Sequence, residues 1–293
     1  KNTRRDAALN YPFENKPEPG ELLPIVEGVN WLRMPLPFSL NHINLWAIEG
    51  DDDWSIVDTG LASDETIELW QAVHNKYCSS KPVKNVLITH MHPDHIGLAG
   101  WLCENYHAKL WMSEKEYQYY DEIRLMLKGK DYTDAHQFYH TGGLSTEQAH
   151  YYDKHIEIFT RFVYPLPTSY RQLSEHEHFE LGGSSWQVVM GNGHSPEHVC
   201  LWNKTLNLFI SGDQILPTIS SNISVYAEHK NDDPLKDWLA SCQKLSNLLD
   251  NDIRVLPAHG KVFQGAQNRL DVQVDEIEQS LQQLIAFCQQ PRR

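Results

Sequence analysis

The sequence predicts an α/β fold built from two strand-rich halves, each flanked by helices. Three observations carry that prediction. Short β-branched runs such as Asn85-Val86-Leu87-Ile88 alternate with amphipathic helical stretches along the chain. The alternation occurs twice, before and after a central stretch of helical periodicity. Histidines and aspartates recur where the strand-like runs end, as they would where strand ends from distant parts of a chain converge.

At 293 residues the chain can bury a sizeable core, either as two ordinary domains or as one large α/β unit. Its 41% hydrophobic and 22% charged residues exclude a disordered or membranous class. No apolar run approaches the ~18 to 20 residues of a membrane span. A net charge of −14 repels phosphate backbones and weighs against a nucleic-acid partner. Cys78, Cys103, Cys200, Cys242 and Cys288 are odd in number and lack C-x-x-C spacing, the pattern of reduced thiols. The expectation is a soluble, cytoplasmic protein.

Residues 1–20 are polar and proline-rich, carry no signal-peptide pattern, and are expected to form a disordered or extended arm, with one domain over 21–293. Segments 28–34, 44–49 and 54–58 read as strands separated by Pro, Gly and Asp turns, the opening meander of a sheet. Residues 63–77 predict a helix, capped by Ser63, with acids in its first turn and Ile67, Trp70, Val73 and Tyr77 at helical spacing. A helix over 97–105 and a strand over 108–112 follow. From 113 the period is helical: Tyr117, Tyr120, Ile123 and Leu127 mark one helix, 146–162 another, with Gly142-Gly143 between them.

Segment 113–172 is thus expected to be a helical insertion. Leaving the fold next to a histidine-rich loop and rich in Tyr, Phe, Met and His, it suits either a lid over an apolar pocket or the surface of a homodimer. Its His136, His140, His150 and His155 belong to no ligand pattern. The second half then reads as strands at 179–181, 185–190, 199–203, 206–210 and 253–256, with helices at 234–250 and 267–289.

The chemistry concentrates in Thr89-His90-Met91-His92-Pro93-Asp94-His95, directly after the 85–88 strand. Two apart on an extended chain, His90 and His92 point to the same side. Pro93 then turns the backbone, so that Asp94 and His95 face a neighbouring point and one loop can serve two metals. Neutral imidazole with carboxylate suits zinc, iron or manganese, and the lack of thiolate argues against a purely structural zinc site.

This loop resembles the H-x-H-x-D-H signature of the metallo-β-lactamase superfamily. Further motifs follow in that family's order: His194 in Gly193-His194-Ser195-Pro196-Glu197-His198, Asp213 in Phe209-Ile210-Ser211-Gly212-Asp213, and His259 in Val255-Leu256-Pro257-Ala258-His259-Gly260. Upstream, Ile56-Val57-Asp58-Thr59-Gly60 resembles its strand-ending V-D-T-G. The resemblance implies an αβ/βα four-layer sandwich with metals at one edge between the sheets.

It further implies that His90, His92 and His194 hold one divalent ion, that Asp94, His95 and His259 hold a second, and that Asp213 bridges them. Zinc is the first expectation, with iron or manganese as alternatives. Such a pair lowers the pKa of a shared water and yields a bridging hydroxide near neutral pH. Asp94 is then the catalytic residue, orienting the hydroxide and shuttling its proton. Asp58 either holds the outer N–H of a ligand imidazole or the loop backbone, or merely caps the turn at Thr59-Gly60. His198 orders its loop or begins the next strand and is not a ligand.

Departures from named branches narrow the expectation. Common zinc-dependent β-lactamases have cysteine where Asp213 stands, diiron flavoproteins have glutamate where Pro93 stands, and RNA-processing branches carry basic surfaces absent here. A glyoxalase II-like or lactonase-like hydrolase of a thioester, ester or lactone with an apolar acyl part remains. The alternatives are a mononuclear iron oxidoreductase resembling persulfide dioxygenases, a phosphodiesterase or nuclease, and a non-enzymatic binding module.

Overall fold

The computed structural model describes residues 8–130 and 132–289. Seven strands form the first sheet in chain order: β1 (Leu23–Val26), β2 (Val29–Pro35), β3 (His42–Glu49), β4 (Trp54–Val57), β5 (Val83–Leu87), β6 (Lys109–Ser113) and β7 (Arg171–Leu173). β1 to β4 pair antiparallel and β4 to β7 pair parallel. The second sheet contains β8 (His178–Leu181), β9 (Ser184–Gly191), β10 (His198–Asn203), β11 (Leu208–Gly212) and β12 (Arg254–Pro257). Its order is β12-β11-β10-β9-β8, and only β11 and β12 run parallel.

Alternation across the pleat sorts the apolar side chains into three layers of core. Trp31, Trp46 and Leu87 of the first sheet meet Val188, Leu201 and Ile210 of the second between the sheets. Their neighbours Leu32, Met34, Val86 and Ile88 face the other way and join a helical layer. On the far side of the second sheet, Cys200, Phe209 and Val255 pack with a second helical layer. Both faces of each sheet are therefore covered, and the molecule is the four-layer αβ/βα sandwich that the sequence predicted.

The first helical layer holds α1 (Asp64–Val73), α2 (Pro93–Ile96), α3 (Ala99–Tyr106), α4 (Glu114–Gly129), α5 (Thr133–Thr141) and α6 (Thr146–Phe162); the second holds α7 (Pro234–Leu248) and α8 (Ala266–Cys288). The Ser63 hydroxyl caps α1 by accepting the Thr66 N–H, and a π-helical turn over His74–Cys78 continues the helix to the predicted end. Ser145 and Gln148 close a capping box that starts α6 at Thr146.

Segment 113–172 differs from the expected two-helix insertion. It holds a third helix, α5, whose polar sequence buries only Ala135 and so lacks an apolar stripe. It also ends inside the core sheet, because Arg171 and Gln172 belong to β7 and pair with Trp111 and Met112 of β6. That strand is three residues long and begins Arg-Gln, so no alternation marks it. β1 escaped notice similarly, being four residues long with Pro24 inside it.

Residues 8–20 contain no regular element apart from one bridge, where Asn10 and Gln264 exchange backbone hydrogen bonds of 3.1 and 2.8 Å. The remainder of the expected arm, 1–7, lies outside the described residues. Among the described residues no helix is long and apolar enough to cross a membrane.

Candidate metal centre

The strand topology brings the singled-out residues to one edge. Asp58 follows β4, His90 and His92 lie beyond β5, Asp213 follows β11, and Ala258-His259 follow β12. β4 and β5 are parallel, as are β11 and β12, so the carboxyl ends within each pair lie together. His92 is extended (φ −64°, ψ 147°), and Pro93 opens the single turn α2 that carries Asp94 and His95. His194 sits in the β9–β10 loop.

All seven expected ligands converge, in two groups. In the first, His90 Nε2 lies 2.9 Å from His92 Nδ1 and 3.2 Å from His194 Nε2, which is 3.3 Å from Asp213 Oδ2. In the second, Asp94 Oδ2 lies 3.4 Å from His259 Nε2 and 3.7 Å from His95 Nε2. Asp213 faces both, with Oδ1 3.3 Å from His259 Nε2 and Oδ2 3.6 Å from His95 Nε2. His95 Nε2 and Asp213 Oδ1 are buried without a hydrogen-bonding partner, an arrangement that costs about 1–3 kcal/mol per group unless something else satisfies it. Imidazole lone pairs and carboxylate oxygens crowded this closely fit cations, and the donor set of nitrogen and oxygen suits zinc, iron or manganese.

Neighbouring acceptors turn the ligand nitrogens of His95, His194 and His259 inward. His194 Nδ1 donates to Asn222 O at 2.7 Å and His259 Nδ1 to His42 O at 2.9 Å, which leaves both Nε2 atoms bare. Asp58 Oδ2 accepts from His95 Nδ1 at 2.7 Å, while its carboxylate also takes the Thr89 N–H and hydroxyl, each at 2.8 Å. Asp58 itself has φ 61°, left-handed backbone that a non-glycine residue holds only where its surroundings demand it. His198 stays outside both groups; its Nε2 accepts the Asp213 N–H at 3.1 Å and its ring stacks 4.8 Å from His90. Gly212 makes that possible: at φ 50° a Cβ would come within 2.5 Å of the His198 ring.

Burial drives the pKa of His90 well below the usual 6.5, aided by the surrounding histidines. Burial also takes His92 down to about 3 and His198 well below its usual range. Such imidazoles remain neutral and keep a lone pair for a cation. Burial opposes charge on Asp94 and Asp213, yet His95 and His259 override it, bringing Asp94 to about 2 and Asp213 well below the carboxylate range. Burial equally disfavours charge on His95, and there the carboxylates of Asp58, Asp94 and Asp213 prevail, raising its pKa well above 6.5. Positive charge is thus favoured beside the carboxylates, at His95 and His259, and disfavoured on His90 and His92.

The family model described as Metallo-beta-lactamase superfamily matches residues 39–260, most of the chain and every member of the cluster. The chain belongs to the metallo-β-lactamase superfamily. Among solved structures it resembles a beta-lactamase domain protein from Burkholderia ambifaria, 36% identical, with a TM-score of 0.84 and 96% of this chain and 84% of that one covered. A metallo-beta-lactamase family protein from Thermus thermophilus, 23% identical with a TM-score of 0.75 over 92% and 85% of the chains, shares the fold. Among curated proteins, the Bacillus subtilis protein named probable metallo-hydrolase YqjP is 24% identical over 260 residues, 85% of this chain and 77% of the relative. The human acyl-coenzyme A thioesterase MBLAC2 is 21% identical over 245 residues, 81% and 80% of the two chains. Those names agree with the expectation of a metal-dependent hydrolase.

In this superfamily member a cavity of about 260 Å³ opens beside the cluster, reaching His92 and Asp94 and walled by Met91, Tyr119, Ile123 and Phe159. Tyr119 and Ile123 come from α4 and Phe159 from α6, so the inner face of segment 113–172 forms one side of the apolar wall, with Phe38, Leu61 and Met91 completing it. A larger cleft of about 940 Å³, lined by residues such as Cys103, Lys109 and Tyr170, touches none of the seven, and its size does not make it the reaction site.

Sequence reasoning missed His42, Asn222 and Glu116, the last a wholly buried carboxylate on α4 that accepts the Met91 and Glu197 N–H groups. None lies in a motif, and two of these contacts use only backbone oxygens of His42 and Asn222. His136 pairs with Asp153 at 2.8 Å, and His140 and His150 bond nearby carbonyls. The side chain of His155 lies outside the described residues.

Proposed function

We propose that this protein is a binuclear metal-dependent hydrolase of the glyoxalase II-like and lactonase-like branch, acting on a thioester, ester or lactone with an apolar acyl part. The observation that carries the reading is the position of Asp213, whose carboxylate lies between the two ligand groups, Oδ2 3.3 Å from His194 and 3.6 Å from His95 and Oδ1 3.3 Å from His259, beside an apolar cavity. Zinc is the first candidate; His90, His92 and His194 would hold one ion, Asp94, His95 and His259 the other, with Asp213 between them. Bound there, the ions would supply Lewis-acid polarisation of the scissile carbonyl and a water acidic enough to ionise near neutral pH.

The protein's own residues do the rest. Asp94 belongs to the second group and also lines the cavity, so its carboxylate is placed to take a proton from the attacking water and pass it to the leaving group. The apolar wall seats the acyl part and excludes water from that side. Thioester cleavage is favoured within this class because thioesterases of two kinds are among the relatives, and because a thiolate, with a free pKa of ~8.5, leaves with little help from an acid. The lid reading of 113–172 is part of the proposal, since α4 and α6 turn their apolar faces to the cavity rather than to solvent.

The test combines metal analysis with turnover on acyl-coenzyme A thioesters, simple esters, lactones, phosphodiesters and glutathione persulfide. Two ions per chain and preference for an acyl substrate are expected, with Asp94→Ala lowering kcat by about 10²- to 10⁴-fold. One ion per chain under saturating zinc, manganese and iron, or persulfide oxidation as the dominant reaction, contradicts the reading.

A further inference from the structure

We propose that Glu116 is a positioning residue that locks together the two loops bearing His90, His92 and His194, and thereby sets the metal affinity of that group selectively over the other. The inference rests on the two-ion reading above. Glu116 stands in the first turn of α4 with no solvent exposure. Its Oε2 accepts the N–H of Met91, the residue between His90 and His92, at 2.9 Å. Its Oε1 accepts the N–H of Glu197, three residues beyond His194, at 2.8 Å.

The start of α4 and the Glu197 segment are also joined in the opposite sense. Glu197 Oε2 accepts the Lys115 N–H at 3.1 Å, and the Ser113 hydroxyl donates to Glu197 O at 2.8 Å. A carboxylate withdrawn from water is tolerable only when hydrogen-bonded, and here it is held by backbone N–H groups of two loops 81 and 25 residues away in sequence. Both of its oxygens are needed as acceptors. An amide in its place would keep one bond and turn an N–H₂ towards the other N–H, parting one loop from the clasp.

The second group shares the 89–95 loop but has supports that do not pass through Glu116, with His95 held by Asp58 and His259 by the His42 carbonyl. Loss of the Glu116 clasp, which holds both loops of the first group but only one of those of the second, should therefore be felt more strongly by the first, which a general loss of packing would not produce. Partners one step removed from a metal commonly change its affinity by about 10- to 100-fold.

The experiment places Glu116→Gln in two backgrounds: His259→Ala, which disables the second group, and His194→Ala, which disables the first. Zinc is titrated against a chromophoric chelator, and the melting temperature of each metal-free variant is recorded. Expected is about a 10- to 100-fold loss of zinc affinity in the His259→Ala background and a markedly smaller one in the His194→Ala background. Equal losses in both, or no loss in the first, overturn the inference. Should Glu116→Gln not fold, Glu116→Asp retains the charge but is one methylene short of spanning both loops, and the same comparison applies. A parent protein that takes up no zinc overturns the two-ion reading together with this inference; a parent that binds zinc beside an indifferent Glu116→Gln overturns this inference alone.

Discussion

Asp58 Oδ2 lies 2.7 Å from His95 Nδ1, and the same carboxylate holds the Thr89 N–H and hydroxyl at the root of the histidine loop. One side chain thus sets both the ring orientation of a proposed ligand and the course of the backbone that delivers three others. Its left-handed backbone is the strain that this placement entails.

Asp58→Ala should accordingly weaken zinc binding by the Asp94, His95 and His259 group by about 10- to 100-fold, since His95 loses its orienting acceptor. It should also destabilise the metal-free fold by about 1–3 kcal/mol, because buried donors of His95 and Thr89 lose their partner. Chelator competition and denaturant melts measure the two effects. Unaltered zinc binding in the folded variant would mean that Asp58 serves only the turn.

The cavity beside the cluster should set acyl preference. Removing all of 113–172 is a poor test, since it deletes Glu116 and two residues of β7 along with the wall. Phe159→Ala and Ile123→Ala enlarge the cavity and leave both intact. KM for the best apolar acyl substrate should rise, at about 1–3 kcal/mol for each lost methylene contact, while a short ester such as an acetyl compound is spared. Equal changes for both substrates would place specificity elsewhere.

Acid should destabilise the metal-free protein partly through His42, whose Nε2 accepts the Gly260 N–H at 2.9 Å. Burial, aided by the nearby positive groups Arg33 and His259, lowers its pKa from the usual 6.5 to about 3. The folded state therefore binds fewer protons than the unfolded one between those values. This contribution is fully present above pH 6.5 and is lost as the pH falls towards 3. Melting temperatures from pH 7 to about 4 should fall less steeply for His42→Gln, which keeps an acceptor that does not titrate. Parallel curves for the two proteins would show that His42 plays no part.

The sequence by itself determined the family, the alternation of the two sheets and the identity of the clustered residues. Ligands carried at strand ends are written as local patterns: a β-branched run, then histidines at spacing two, then proline to turn the chain. The amphipathic stripes of α1, α4 and α6 were equally legible, because burial of one face leaves a period in the residues themselves. What had no period was silent. β7 is three residues long, and α5 buries only Ala135, so neither imposed a pattern.

Tertiary structure alone decided which partners support the cluster and which face of the insertion turns inward. The carbonyls of His42 and Asn222 act through backbone atoms that every residue possesses, so no residue type announces them. Glu116 lies 25 positions from Met91 and 81 from Glu197, and its role exists only once the sheets bring those loops to one place. Long-range hydrogen bonds follow the packing of strands and helices, which a local reading of the sequence does not contain.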